Sequence, residues 1–234
     1  MTSLPRIICH MTSSIDGGLH PSRYTASPDG GPQDWSKAYE AIHDRIDADG
    51  WIVGRVTMAE MAKGKPHPPS EAGAVERPVH VARPGARPLA ITLDQSGKLH
   101  FAEADVGGDH VVVLLGSEIG DLHLAELAAG GISYIVSPTA EVDLAGALAT
   151  LRARFGVETL LLEGGGSING SLLAAGLVDE LSVIVAPALD GAADAERIVA
   201  AGSGLKGKVG LSLISCEPVA GGAVHLRYMV EPAG

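Results

Sequence analysis

Short, continuous apolar runs alternate with helical segments along most of this chain, and this order limits the folds open to it. Strands of a parallel sheet are buried on both faces, so they read as unbroken apolar runs. Strand–helix–strand order therefore predicts an α/β fold with a mostly parallel sheet. The predicted strands are residues 6–11, 50–53, 89–93, 111–115, 132–136, 159–162, 178–186, 209–217 and 223–230, and the predicted helices are 37–46, 55–61, 121–129, 144–155 and 167–175.

The last two predicted strands are joined by a short segment, 218–222, that contains proline and glycine. Such a connection is typical of a hairpin, so we predict an antiparallel C-terminal edge on the sheet. No change in composition and no charged linker divides the 234 residues, of which 46% are apolar. A chain of this size can bury one full core, and we predict a single domain over residues 1–234.

Charge and hydropathy narrow the range of partners. The chain has 17 basic and 28 acidic residues, a formal net charge of −11, which argues against binding nucleic acid or acidic lipid. No signal-peptide core is evident, and the longest apolar run, 181–189, is about half the length of a membrane helix. We therefore expect a soluble cytoplasmic protein, with Cys9 and Cys216 as buried free thiols.

Three consecutive glycines, Gly164, Gly165 and Gly166, follow the predicted strand 159–162, and Ser167 begins the next helix. Backbone N–H groups at a helix N-terminus lack partners within the helix and lie at the positive end of its dipole, which suits a pyrophosphate. The alternative is a tight turn in which glycine lets helix and sheet pack closely. The run lacks the third spaced glycine of the Rossmann fingerprint, so it does not predict that fold.

A second glycine follows the predicted strand 50–53. Gly54 precedes Arg55 and Thr57, which fall in the first turn of a predicted helix. A guanidinium, a hydroxyl and free amides can together hold a phosphate, and an acidic chain needs such a local cation. The alternatives are a surface ion pair for Arg55 and a helix-capping role for Thr57.

Hydroxyl and carboxyl side chains follow the first predicted strand. Ser14 and Asp16 come after residues 6–11 and precede the glycines at 17–18. Ligands of open α/β sheets bind beyond the carboxyl ends of the strands, so these two side chains are candidates for a site. An ordinary turn is the alternative.

Taken in this order, the motifs resemble the dihydrofolate-reductase-like reductases, and most closely the riboflavin-biosynthesis reductase domain, RibD C-terminal. Four of that family's patterns match here: Ser-x-Asp-Gly at 14–17, Gly-x-x-Thr at 54–57, Glu-Gly-Gly at 163–165 and Gly-Leu-x-Asp-Glu at 176–180. Residues 87–94 are also similar to the family's third strand, and the resemblance covers nearly the whole chain.

The resemblance implies a dihydrofolate-reductase-like three-layer fold, NADPH as cofactor, a small-molecule substrate and a homodimer. Its glycines at 164–166 would bind the pyrophosphate, and Arg55 with Thr57 would bind phosphates on the adenosine side. Ser14 would lie beside nicotinamide and substrate, and Trp35 is a candidate for the wall of that pocket. The implied reaction is hydride transfer to a C=N or C=O carbon of a small heterocycle, which needs no metal.

Such a reaction also needs a proton beside the hydride acceptor, and the candidates are Asp16, His10 and Glu163. Two alternatives are an interior structural role for His10 and an orienting role for Asp16.

Two departures from the family bear on the substrate. His10 stands where the family usually carries lysine, and residues 57–62 lack an Asp-Asp-Pro segment and the arginine that the resemblance would assign to a phosphoribityl group. The reductase interpretation is therefore better supported than the riboflavin substrate. A dihydrofolate or pterin reductase and an NADPH-binding protein without turnover are the alternatives.

Overall fold

Eleven strands and five α-helices lie within residues 4–233, the part of the chain that the computed structural model describes. The strands are β1 (Arg6–Ser14), β2 (Gly50–Gly54), β3 (Val79–His80), β4 (Leu89–Leu93), β5 (Asp105–Val106), β6 (Asp109–Leu115), β7 (Ser133–Val136), β8 (Thr159–Gly164), β9 (Glu180–Ala186), β10 (Val209–Pro218) and β11 (Val224–Pro232). The helices are α1 (Pro32–Ile46), α2 (Arg55–Ala62), α3 (Asp121–Ala129), α4 (Leu144–Phe155) and α5 (Gly166–Ala174). This order confirms the predicted α/β class. Among the described residues, no helix has the length and apolar character needed to cross a membrane.

The chain divides into two compact units. The first comprises Met1–Pro5 and Ala48–Leu160, and the second comprises Arg6–Asp47 and Leu161–Gly234. The single domain over residues 1–234 stays a prediction.

The first unit contains a parallel sheet in which β2, β4, β6 and β7 are neighbours in that order. Most of its buried positions are apolar, and Ile52 and Ile91 are fully buried. Gly54 lies opposite Leu93, and Leu93 lies opposite Leu114, so these strands end at one edge of the sheet. Helix α2 starts at that edge because it follows β2 directly. The two-residue strands β3 and β5 add antiparallel pairings that were not predicted, since they are too short for a periodic pattern.

The second unit contains the strand order β10-β11-β9-β1-β8. Strands β1 and β9 are parallel, whereas β11 is antiparallel to both β9 and β10, which confirms the predicted antiparallel C-terminal edge. Ser14 lies opposite Ala186 at the ends of β1 and β9. The irregular segments that follow these two strands, 15–31 and 187–208, therefore start side by side.

Helix α1 begins at Pro32, and the predicted start at residue 37 is wrong. Gly31 is the N-cap, and the Asp34 carboxylate accepts its backbone N–H at 3.1 Å. Proline suits the first helical position because its missing N–H would have no partner there. The earlier start places Trp35 in the first turn, where it packs against Ile184 of β9.

The two cysteines have different environments. Cys9 is buried in β1, and burial raises the pKa of its thiol to about 12. Cys216 is exposed, which corrects the expectation that both thiols are buried. The reason is its position on β10, which is exposed along most of its length.

Candidate active site

The turn after β1 is closed by its own side chains. The Ser14 hydroxyl donates to the Asp16 carboxylate at 2.6 Å and accepts the Gly18 N–H at 2.8 Å. A Cβ atom on Gly18 would lie 2.8 Å from both Ser14 Oγ and Asp190 Cβ, so only glycine fits there. Ser14 is 1% exposed, and its hydroxyl is committed to this turn.

Asp16 connects that turn to the segment after β9. Its carboxylate accepts the backbone N–H groups of Asp190 at 3.0 Å and of Gly191 at 2.8 Å. The Ser14 hydroxyl and then these two amides lower the pKa of Asp16 to about 2. An acid of that strength is ionised at neutral pH and has no proton to donate, so the contacts favour the orienting role. The role of Asp16 in proton transfer stays a prediction.

The segment 196–200 lies against the same turn. Arg197 Nη1 donates to the Asp16 carbonyl oxygen at 3.2 Å, and the Ile198 N–H donates to the Gly17 carbonyl at 3.2 Å. The Arg197 side chain is exposed. A guanidinium therefore stands beside the two polar side chains that the sequence predicted.

The same segment also contacts the glycine run. The Ala200 N–H donates to the Gly166 carbonyl at 2.9 Å, and Asn169 Nδ2 donates to the Ile198 carbonyl at 2.7 Å. A Cβ atom on Gly166 would collide with the carbonyl oxygen of Arg197. Gly166 is therefore required by packing within the chain, and segment 196–200 brings the first and third sequence motifs together.

Gly165 differs from Gly166 because the space that a side chain would occupy is open. Gly164 ends β8, and Gly165 is the N-cap of α5 with φ +79° and no side-chain cap. A Cβ atom on Gly165 would approach nothing nearer than Ile168 Cγ2 at 3.8 Å. Ser167 is exposed in the first turn. This helix start offers free backbone N–H groups on an accessible surface, as phosphate binding requires; that role stays a prediction.

Glu163 lies in a cluster of titratable groups at the end of β8. Its side chain is 11% exposed, and its Oε1 accepts the Tyr39 hydroxyl at 2.6 Å and lies 2.7 Å from His43 Nδ1. Burial, and then the charge of Glu163, raises the pKa of Tyr39. Tyr39 is therefore protonated at neutral pH and donates to the carboxylate.

His10 is fully buried beside this cluster. Its Nε2 lies 3.2 Å from the Tyr39 carbonyl oxygen, and its Nδ1 lies 3.0 Å from Ser182 Oγ. Nδ1 also lies 3.3 Å from the Ser182 carbonyl oxygen, so each ring nitrogen has a carbonyl acceptor within hydrogen-bond distance. Burial lowers the pKa of His10, in agreement with a neutral ring. Both nitrogens are occupied, which favours the interior alternative; a catalytic role for His10 stays a prediction.

Trp35 is 1% exposed and belongs to the core of the second unit, with Ile42 and Ala186. Its Nε1 donates to the Gly221 carbonyl at 2.9 Å. These contacts give Trp35 a packing role, and its contact with substrate stays a prediction.

The second sequence motif lies in the first unit, at the edge where the parallel strands end. Gly54 is the N-cap of α2, and no side chain caps this helix, so Thr57 does not have the capping role that was the alternative. Arg55 is exposed, and within residues 4–233 its guanidinium has no ion pair. The surface ion pair proposed as the alternative is therefore not found in this part of the chain.

Comparison with known proteins identifies the family. Residues 5–225 match the family described as RibD C-terminal domain. The chain belongs to that family. A curated relative, the 2,5-diamino-6-ribosylamino-4(3H)-pyrimidinone 5′-phosphate reductase of Methanothermobacter thermautotrophicus, is 34% identical over 120 residues. That match covers 50% of this chain and 54% of the relative, so it spans about half the length of each.

Solved structures show the same fold. A pyrimidine reductase-like protein of Corynebacterium diphtheriae is 23% identical, with a TM-score of 0.69 and coverage of 97% of this chain and 92% of that one. The riboflavin biosynthesis reductase of Saccharomyces cerevisiae is 18% identical, with a TM-score of 0.62 and coverage of 97% and 90%. These similarities confirm the fold class of this RibD C-terminal domain.

Four polar residues around the candidate site of this RibD C-terminal domain were not predicted: Tyr39, His43, Asp190 and Arg197. The first two lie one turn apart on α1, which is a weak sequence signal for a shared face. The other two lie in the irregular segment after β9, where no periodic pattern indicates which way a side chain points.

Proposed function

We propose that this chain is an NADPH-dependent reductase that transfers a hydride to a C=N or C=O carbon of a small heterocycle, with a ribosylaminopyrimidine phosphate as the favoured substrate class. The observation that carries the proposal is the family match over residues 5–225, which spans all the motifs at 14–17, 54–57 and 163–166. The pyrimidinone phosphate reductase of Methanothermobacter thermautotrophicus supports the substrate class.

Two helix starts would hold the phosphates of the cofactor. The N–H groups of Gly165, Gly166 and Ser167 would bind the pyrophosphate, and Arg55 with Thr57 would bind a phosphate on the adenosine side. Both helices lack a side-chain cap, so their first amides are available to a ligand. When bound, the reduced nicotinamide supplies the hydride, while the protein binds and orients the reactants.

Asp16 would orient the substrate. Its carboxylate is exposed and ionised, and an ionised carboxylate only accepts hydrogen bonds. It therefore suits the amino and ring N–H donors of a pyrimidine. Ser14 fixes the carboxylate through its 2.6 Å hydrogen bond and acts as a positioning residue.

Glu163 is the group that we assign to proton transfer. Unlike His10, it lies at the glycine run itself. Asp16 contacts a serine hydroxyl and two backbone amides, whereas Glu163 contacts a phenol and an imidazole. Tyr39 and His43 both contact its Oε1. A proton given up beside the substrate could be replaced through His43, the more exposed of these two partners.

A homodimer is part of the proposal. The β10–β11 hairpin exposes four large apolar side chains, which are Leu211, Leu213, Ile214 and Met229. Exposed apolar clusters of this kind mark association surfaces. Sedimentation of wild type and of Leu213→Asp tests this point, and a monomeric wild-type protein would contradict it.

The experiment that tests the function is a two-step assay on the purified chain. NADPH binding is first measured by fluorescence titration, and NADPH oxidation is then followed with a panel of substrates. The panel contains a ribosylaminopyrimidinone 5′-phosphate, its uracil counterpart, dihydrofolate and an oxidised pterin.

Turnover with a pyrimidine phosphate is the expected result, and Glu163→Gln should lower kcat while NADPH binding is kept. Turnover only with dihydrofolate or pterin would show that the proposed pyrimidine substrate class is wrong. Tight NADPH binding without any turnover would make the chain a binding protein, and no NADPH binding would overturn the proposal.

A further inference from the structure

Two histidines and a glutamate of the first unit converge at a place that the proposed reaction does not use. One ligand atom from each of His100, His123 and Glu126 lies within 4.8 Å of the others. His123 and Glu126 are three residues apart on α3, so they share one face of that helix. His100 comes from the irregular segment between β4 and β5.

Glu126 is the centre of this cluster. It is 3% exposed, and its Oε1 lies 2.7 Å from His100 Nδ1 and 3.2 Å from His67 Nδ1. The His67 backbone N–H also donates to Oε1 at 3.2 Å. A carboxylate buried to this extent requires a paired cation or a metal ion. Three imidazoles from separate parts of the unit therefore surround one carboxylate.

His123 provides the observation that points to a ligand. Its Nε2 is buried, and among the described residues it has no hydrogen-bond partner. Buried ring nitrogens are nearly always bonded, so an unpartnered one requires an explanation. The rings of His123 and His100 are nearly perpendicular, at 87°, with centroids 5.4 Å apart.

The surrounding backbone holds these side chains in place. The Asp94 carboxylate accepts the Leu99 N–H at 2.7 Å and closes the turn that precedes His100. A Cβ atom on Gly97, within that turn, would lie 3.2 Å from His123 Nε2. A Cβ atom on Gly64 would collide with the His100 carbonyl, so the segment that carries His67 packs directly on the backbone of His100.

We propose that His100, His123 and Glu126 bind a divalent transition-metal ion of the Zn²⁺ type, with water as the fourth ligand. Imidazole nitrogens with one carboxylate are a donor set that Zn²⁺ prefers. Tetrahedral Zn²⁺ ligands stand about 3.4 Å apart, as bond lengths of about 2.0–2.1 Å require. His100 Nδ1 and Glu126 Oε1, now 2.7 Å apart, must therefore separate slightly, while the ligand atoms that lie farther apart, up to 4.8 Å, must close by small side-chain rotations. Any proton on the ligating atoms leaves when the ion binds.

The ion would have a structural role in the first unit. Residues 64–78 contain no helix and no strand. The Glu126 carboxylate accepts the His67 backbone N–H at 3.2 Å, so an ion that fixes Glu126 would also fix this segment against α3 and His100. We therefore expect metal binding to raise the stability of the unit and to protect the segment from proteolysis.

The test uses Co²⁺ and Zn²⁺ with the full chain, freed of any histidine tag and treated with chelator. One equivalent of Co²⁺ should bind with the intense visible absorption of a four-coordinate site, and Zn²⁺ should displace it. A hundredfold excess of Zn²⁺ over its Kd should raise the melting temperature by about 5–10 °C.

His123→Gln is the decisive variant, because the ring nitrogen it removes has no hydrogen bond to lose. It should fold like wild type in chelator but lose both the Co²⁺ absorption and the Zn²⁺ shift. His20→Ala is the matched control. His20 also lies beside a glutamate, Glu196 at 3.3 Å, but it does not belong to the proposed metal group. It should bind metal like wild type. Failure of wild type to bind, or unchanged binding in His123→Gln, would overturn the proposal.

Discussion

Gly165→Ala tests whether the start of α5 binds the cofactor phosphates. Gly165 has φ +79°, a conformation that L-residues rarely adopt. Its added methyl group would meet no atom nearer than 3.8 Å, so no steric clash within the protein adds to the backbone strain. The substitution therefore has two separable effects, one on folding and one on any ligand that occupies the open space.

The size of each effect follows from the local geometry. A strained backbone conformation of this kind costs about 1–3 kcal/mol, which leaves a domain of ordinary stability folded. A methyl group that lifts a phosphate away from the helix start removes at least one charge-assisted hydrogen bond, worth about 1.5–3 kcal/mol. The Kd for NADPH should therefore rise by about 10- to 150-fold.

Gly176→Ala is the matched control for the backbone effect. Gly176 lies just beyond the C-terminal end of α5, has φ +66° and also faces open space. Urea unfolding should show that both variants are destabilised, whereas fluorescence titration should show weaker NADPH binding only in Gly165→Ala. Equal affinities in the two variants would refute phosphate binding at Gly165, because strain alone would then account for the result.

Three further predictions concern single charged or titratable groups. Arg55→Ala should weaken NADPH binding far more than NADH binding if the guanidinium contacts the 2′-phosphate. Equal losses of affinity for the two cofactors would mean that Arg55 contacts the pyrophosphate or no part of the cofactor. The folded pKa of Asp16, about 2, lies below that of an unfolded aspartate, so its ionised form stabilises the protein above about pH 4 and this contribution is lost as the pH falls toward 2. When acid unfolding is followed by circular dichroism, the stability of Asp16→Asn should change less with pH in that range than the stability of wild type. Burial lowers the pKa of His10, so the free energy of unfolding falls as the pH drops below about 6.5, by up to about 1.4 kcal/mol per pH unit. Urea unfolding at several pH values should show that this free energy depends less on pH in His10→Asn than in wild type.

The parallel strands of the sheet were predictable from the sequence because most of their residues are buried. A strand such as β6, buried at every position from His110 to Leu115, leaves an unbroken apolar run with few other interpretations. The start of α1 was not predictable in the same way. There the helix begins in a polar stretch, and Pro32 with its Gly31 cap provides the start without any apolar pattern.

The candidate site was only partly predictable. Ser14, Asp16 and the glycine run lie at or just beyond the ends of strands, so the sheet itself determines where they lie. Tyr39 and His43 reach Glu163 from a helix more than a hundred residues away in the chain. That pairing depends on how α1 packs on the sheet through Trp35, which no local pattern reports.

The negative charge of the chain is compatible with a phosphate ligand because local donors, and not net charge, determine binding at short range. With a formal charge of −11, most arginines have acidic partners, as Arg23 does with Asp190 and Asp194. Arg55 has no ion pair among the described residues. Arg197 uses one nitrogen on the Asp16 carbonyl, and a guanidinium has further N–H donors to offer. The arginine that the family resemblance leads one to expect after Thr57 is absent from that segment, but the turn that carries Asp16 has a cation of its own. A phosphorylated substrate is therefore compatible with this chain despite the departure in sequence.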